Sequence, residues 1–175
     1  MQMRTVVLGQ PTELTQWLER RRALGRDRFD EMWEGEYHVA PAPRYAHGQV
    51  AAQLILLLTP VAKAAGLVGT TEFNLGASPD SYRVPDAGFH RSPPPADTIY
   101  IPTAAIVVEV LSPDDETYAK FDFYADHDVE EIIVADPARR LVQFWRLTAQ
   151  SYSETTWSRL LEIRASDLTD QIDWP

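Results

Sequence analysis

Ala104-Ala105-Ile106-Val107-Val108-Glu109-Val110-Leu111-Ser112-Pro113 is the stretch on which the rest of the chain turns. It reads as a strand that is apolar on both faces. Ile106, Val108 and Val110 form one set; Ala105, Val107, Glu109 and Leu111 form the other. Strands of this kind lie inside a sheet and are covered on both sides. A carboxylate in the middle of such a run is costly to bury unless something pairs with it or binds it. Glu109 is therefore the first candidate ligand for a metal ion.

Downstream, Ser112-Pro113-Asp114-Asp115 has the chemistry of a helix start. Serine caps, proline fits the first turn, and two acids suit the positive end. The helix it predicts carries Tyr118, Lys120, Phe121 and Tyr124. Residues 129–135 read as a strand, 136–140 as a turn and 141–147 as its hairpin partner. A further strand is expected over 152–163, then a short helix or irregular tail over 165–175.

Upstream, 81–90 and 67–75 read as strands joined by a turn at 76–80, and 92–97 is a proline-rich surface loop. Residues 45–65 carry the longest helical pattern, with Val50, Leu54, Leu57, Leu58 and Val61 at three- and four-residue spacings. Pro60 is expected to bend or break it, and Gly66 to end it. Before it, 40–43 stops a pair of short strands within 29–39 that turn at Glu34-Gly35. A short helix opens at Pro11-Thr12, with Thr12 as its cap, and runs to Gly25. Residues 1–10 read as a loose arm. Together these elements predict one α/β (α+β) domain over 1–175, a mixed central β-sheet flanked by helices.

Composition narrows the function. The 175 residues allow one domain with a real core. No apolar run reaches the ~18 residues of a membrane span, and the first residues lack a signal-peptide core, so a cytoplasmic protein with no membrane partner is expected. The chain has no cysteine, which excludes disulfides, thiolate metal sites and a cysteine nucleophile. Its net charge of −10 counts against a broad electrostatic grip on nucleic acid. The same charge suits a carboxylate site that needs a divalent cation before it meets a phosphate. Arg20, Arg21, Arg22, Arg26 and Arg28 form the most basic segment, read either as a solvated helix face or as a contact for phosphates.

Four positions can carry chemistry: Glu31 in the first strand region, Asp86 after Pro85 within a strand, Glu109, and Lys120. Two carboxylates on neighbouring strands can hold Mg²⁺ or Mn²⁺, with the Val110 carbonyl as a further ligand. Lys120 can orient the attacking water or stabilise charge on the phosphate. Each residue also has a plainer reading. Asp86 can cap a turn, Glu109 can pair with a buried arginine, Lys120 can be solvated, and Glu31 can face water on a hairpin. His47 reads as a cap or core-edge residue. His38, His90 and His127 show no metal-ligand spacing. Trp145, Trp157 and Trp174 read as packing residues.

Several pieces, taken in order, resemble the Uma-two family of restriction-endonuclease-like proteins in the PD-(D/E)XK nuclease superfamily. They are Glu31-Met32-Trp33-Glu34-Gly35-Glu36, Pro41-Ala42-Pro43 with His47, Val84-Pro85-Asp86, and Val108-Glu109-Val110-Leu111-Ser112-Pro113. Lys120 with Tyr124 and Val129-Glu130-Glu131 ahead of Val134-Ala135-Asp136-Pro137 complete the set. The resemblance spans about residues 12–147. It implies a restriction-endonuclease-like core with Asp86 and Glu109 as metal ligands, Lys120 as the catalytic lysine and Glu31 as an accessory acid. It implies a Mg²⁺-dependent endonuclease acting on DNA, in which a homodimer would address both strands. The superfamily's usual lysine, two residues after the acid, is replaced by Leu111, so Lys120 must reach back from the next helix. Two other functions remain open: an inactive nuclease fold kept for binding or regulation, and a hydrolase of small phosphorylated substrates.

Overall fold

The strand Ile106–Val110 is buried at every position and lies inside a six-stranded sheet, as its two apolar faces require. The structure is a computed structural model and describes residues 6–7, 12–113 and 116–175. In chain order the elements are β1 (Val6–Val7), α1 (Thr12–Ala23), β2 (Glu31–Trp33), β3 (Glu36–His38), α2 (Tyr45–Ala64), β4 (Val68–Thr71), β5 (Asn74–Ser78) and β6 (Ser81–Arg83). There follow β7 (Ala87–His90), β8 (Tyr100–Ile101), β9 (Ile106–Val110), a 3₁₀ turn (Thr117–Lys120), α3 (Phe121–Asp126), β10 (Glu131–Asp136), β11 (Leu141–Thr148), β12 (Ser151–Thr155) and α4 (Ala165–Gln171). The fold is the expected mixed α+β arrangement. Its strands divide between two sheets, in the orders β1-β3-β2-β6-β5-β8 and β12-β11-β10-β9-β7-β4.

The second sheet is the structural centre. On one face, Ile106, Val108, Val110, Ile133 and Phe144 pack with Val50, Leu54 and Leu58 of α2 and Leu168 of α4. On the other, Val107, Ile132 and Val134 meet Phe123 and Tyr124 of α3 and Leu75 and Ile101 of the first sheet. Each fully buried side chain of this size contributes ~1.5–3 kcal/mol through burial. Helix α2 continues through Pro60 without a break. It ends as expected: Gly66 takes φ +75° and the Leu67 N–H returns to the Ala62 carbonyl at 2.8 Å.

β9 and β10 run parallel, so a crossover must join them. That crossover is the 3₁₀ turn and α3, and it carries Lys120 and Tyr124 over the face that bears Glu109. The helix does not start at Ser112. The first helical residue is Thr117, and Ser112 is held by a histidine described below; Asp114 and Asp115 lie outside the described residues.

Three expected strands are shorter. The 67–75 strand breaks at Glu72, which takes φ 52°, and its halves join different sheets. A glutamate in the left-handed region leaves no sequence signal. The 81–90 strand likewise divides into β6 and β7, so Asp86 sits between strands instead of within one. The expected turn at 76–80 shrinks accordingly, since β5 runs on to Ser78. The 152–163 strand stops at Thr155. There the buried Glu131 takes over, accepting from Ser158 Oγ at 2.5 Å and from the Arg159 N–H at 2.7 Å, which pins the chain into a turn. Of the arm expected over 1–10, Val6–Val7 pairs with Tyr37 and His38; the rest lies outside the described residues.

Candidate active site

Where the two sheets part, a cleft of about 490 Å³ opens, lined among others by Glu31, Asp86, Glu109, Val110, Lys120 and His47. Four separate segments bring these groups together. Glu31 comes from β2, Asp86 from the link between sheets, Glu109 from β9 and Lys120 from the crossover.

Lys120 does reach back. Its Nζ lies 2.8 Å from Glu31 Oε1 and 3.1 Å from Glu109 Oε1, with all three side chains nearly fully buried. Tyr124, one helical turn further on, donates its hydroxyl to the same Glu109 oxygen. The partner of Glu109 is thus a lysine, where an arginine was the plainer expectation. Glu31 faces inward, not to water. Its Oε1 accepts the Val84 N–H at 3.0 Å and its Oε2 the Trp33 indole N–H at 2.7 Å.

One lysine between two buried acids cannot satisfy both charges equally. Burial would raise Glu31, but the Lys120 charge and hydrogen bond, with the Val84 and Trp33 donors, outweigh it and hold its carboxyl below the usual range. Glu109 goes the other way. Burial pushes it up to about 7, helped by the neighbouring Asp86 and Glu31 charges, although Lys120 and the Tyr124 hydrogen bond oppose the rise. Burial and the Glu109 charge in turn push the Tyr124 phenol well above its ordinary value.

Asp86 Oδ2 accepts the Val110 N–H at 2.7 Å. The reason lies in the strand register. The paired register ends at Ala87 and Val108, and Pro85 precedes it by two residues on the strand's approach. Proline has no N–H to donate. Leu111 turns its own N–H to Ala135 on the other side at 2.8 Å, so the Val110 N–H and carbonyl share the edge beside Asp86. The carboxylate takes the first, and the carbonyl is left without a donor from Pro85.

The donors fit a hard divalent cation. They are all oxygens: Asp86, Glu109 and the Val110 carbonyl. Both hydrogen bonds to Glu109 land on Oε1; Oε2 takes none among the described residues. No group of three His, Cys, Asp or Glu side chains able to hold a metal occurs among the described residues.

The residue that sequence reasoning undervalued is His47, at the first turn of α2. Its Nε2 lies 2.8 Å from Asp86 Oδ1 and its Nδ1 lies 3.1 Å from Ser112 Oγ. Its place after Pro41-Ala42-Pro43 was the only signal in the chain. Tyr124 was likewise noted for its spacing from Lys120 and not for its contact with Glu109. In α1, Arg21 pairs with the buried Asp30 at 2.8 Å and Arg22 with Asp27 at 3.5 Å; Arg28, beyond the helix, pairs with Glu72, which lines the cleft. Among the described residues no helix is long and apolar enough to cross a membrane.

A family model described as "Putative restriction endonuclease", that of the Uma2 (Uma-two) family, matches residues 12–172. No curated protein matches the chain. Among solved structures, a crystal structure from Anabaena variabilis described as "a putative nuclease belonging to DUF820" is similar, with a TM-score of 0.66 and 18% identity. The match covers 82% of this chain and 90% of that one. At that identity the likeness bears on the fold.

Proposed function

The chain belongs to the Uma2 family, and from that premise we propose that it hydrolyses DNA phosphodiester bonds with the help of a divalent cation, Mg²⁺ or Mn²⁺. One observation carries the proposal: Glu31, Asp86, Glu109 and Lys120, from four segments, converge on one cleft. Asp86, Glu109 and the Val110 carbonyl would hold the ion. When bound, the ion would activate water and neutralise charge on the phosphate. Lys120 supplies the positive charge between the two buried acids. Lys120, with Glu31 as its counter-charge at 2.8 Å, would present its ammonium to the scissile phosphate. Glu31 holds the lysine in place and protonated. Glu109 would have to be ionised to hold the ion.

Plasmid nicking tests the proposal. Wild type with Mg²⁺ or Mn²⁺ is expected to convert supercoiled DNA to open circles, and Glu109→Ala and Lys120→Met are expected to lose that activity. Undiminished nicking by Glu109→Ala would overturn it. A homodimer belongs to the same proposal, since two sites serve two strands, and light scattering on the protein with and without duplex checks it. One observation favours a second reading, a hydrolase of small phosphorylated substrates: the cleft volume lies in the range of small-molecule sites. Competition of mononucleotides with plasmid for the same site separates the two.

A further inference from the structure

Asp86 is held at both oxygens by a circuit of hydrogen bonds that closes on itself. Oδ2 takes the Val110 N–H at 2.7 Å and Oδ1 faces His47 Nε2 at 2.8 Å. The other ring nitrogen of His47 faces Ser112 Oγ at 3.1 Å, and Ser112 follows Val110 by two residues on the same strand exit. Three elements are joined at this point: the start of α2, the link between the sheets, and the end of β9. A carboxylate oxygen only accepts, so Nε2 carries a proton toward Asp86, and in the neutral ring Nδ1 accepts from the Ser112 hydroxyl. The carboxylate thus fixes the ring tautomer, the serine holds the ring in its plane, and the ring sets the plane of the carboxylate.

We propose that His47, oriented by Ser112, is the positioning residue that sets Asp86 for the divalent cation. The proposal rests on Asp86 being a ligand, as above. Each oxygen of Asp86 has a lone pair in use and another to offer, so two fixed anchors leave the remaining lone pairs aimed instead of rotating. Partners that orient a ligand in this way are typically worth ~10- to 100-fold in metal affinity. Nothing in the role requires His47 to touch the ion or the substrate.

Mn²⁺ titration by calorimetry, on the full chain and without substrate, tests this. His47→Ala is expected to bind Mn²⁺ about 10- to 100-fold more weakly than wild type. His47→Gln, whose amide N–H can reach Asp86, is expected to recover most of the loss. Ser112→Ala leaves α2 intact and supplies a second measurement. In nitrogen–proton spectra of the imidazole ring, wild-type His47 is expected as the Nε2–H tautomer, and Ser112→Ala, which removes one anchor of the ring, is expected to weaken Mn²⁺ binding. A folded His47→Ala that binds Mn²⁺ like wild type overturns the proposal, as does a wild-type ring found as the Nδ1–H tautomer. If wild type itself binds no Mn²⁺, the assignment of Asp86 as a ligand is what fails. The tautomer then still decides whether the ring donates to Asp86.

Discussion

Replacing Glu109 by glutamine should change how stability depends on pH, and the size of the change follows from the site. In the folded protein the Glu109 carboxyl is pushed from 4.5 up to about 7, chiefly by burial. A carboxyl raised in this way stabilises the fold while it is neutral. That contribution is complete below the unfolded value and is lost as pH rises through the folded one. The full loss is about 3 kcal/mol, at about 1.4 kcal/mol for each tenfold change in proton affinity between the folded and unfolded chains. Between pH 5 and pH 8 about 2 to 3 kcal/mol of it should be seen. Glutamine keeps an oxygen to accept from Lys120 and Tyr124 but cannot ionise. Glu31, held low by Lys120, acts below this window. Urea unfolding followed by tryptophan fluorescence, in EDTA, gives the comparison directly. The stability of Glu109→Gln relative to wild type should climb by that amount from pH 5 to pH 8. Parallel curves would refute the account of Glu109 as a buried acid that ionises near neutrality.

Other outcomes follow from the same geometry. Lys120→Met leaves Glu31 and Glu109 buried without their cation, and should cost about 3–5 kcal/mol at pH 8 by denaturant melts, less at pH 5 where Glu109 is neutral. Millimolar Mn²⁺ should raise the thermal midpoint of wild type at pH 8 but not that of Glu109→Gln, because only an ionised Glu109 binds the ion. Its affinity, measured by calorimetry, should rise from pH 6 to pH 8 with release of up to about one proton per ion. Leu54→Ala, at a fully buried position of α2, should destabilise the protein by about 2–5 kcal/mol in the same melts while leaving Mn²⁺ affinity unchanged.

The sequence by itself determined the strand at 106–110 and its burial, because an apolar run with no polar face has nowhere to lie but inside a sheet. It determined the long helix over 45–65, where apolar residues recur at helical spacing, and the hairpins at 31–38 and 131–148, where strand patterns flank local turns. It also marked Glu109, since a carboxylate inside an apolar run needs a reason; Glu31, Asp86 and Lys120 stand out beside it by their combination and by the family resemblance. Only the tertiary structure decided how they meet. The strand breaks at Glu72 and at Val84-Pro85-Asp86 depend on which sheet each half joins, and pairing between distant strands leaves no periodic trace. His47 finds Asp86 39 positions away and Ser112 65 positions away, across the face of a sheet. Local chemistry at Ser112 favours a helix cap; the histidine that occupies its hydroxyl comes from another element altogether. Periodicity records which way a side chain faces, and the partner that waits there is fixed only when the elements pack.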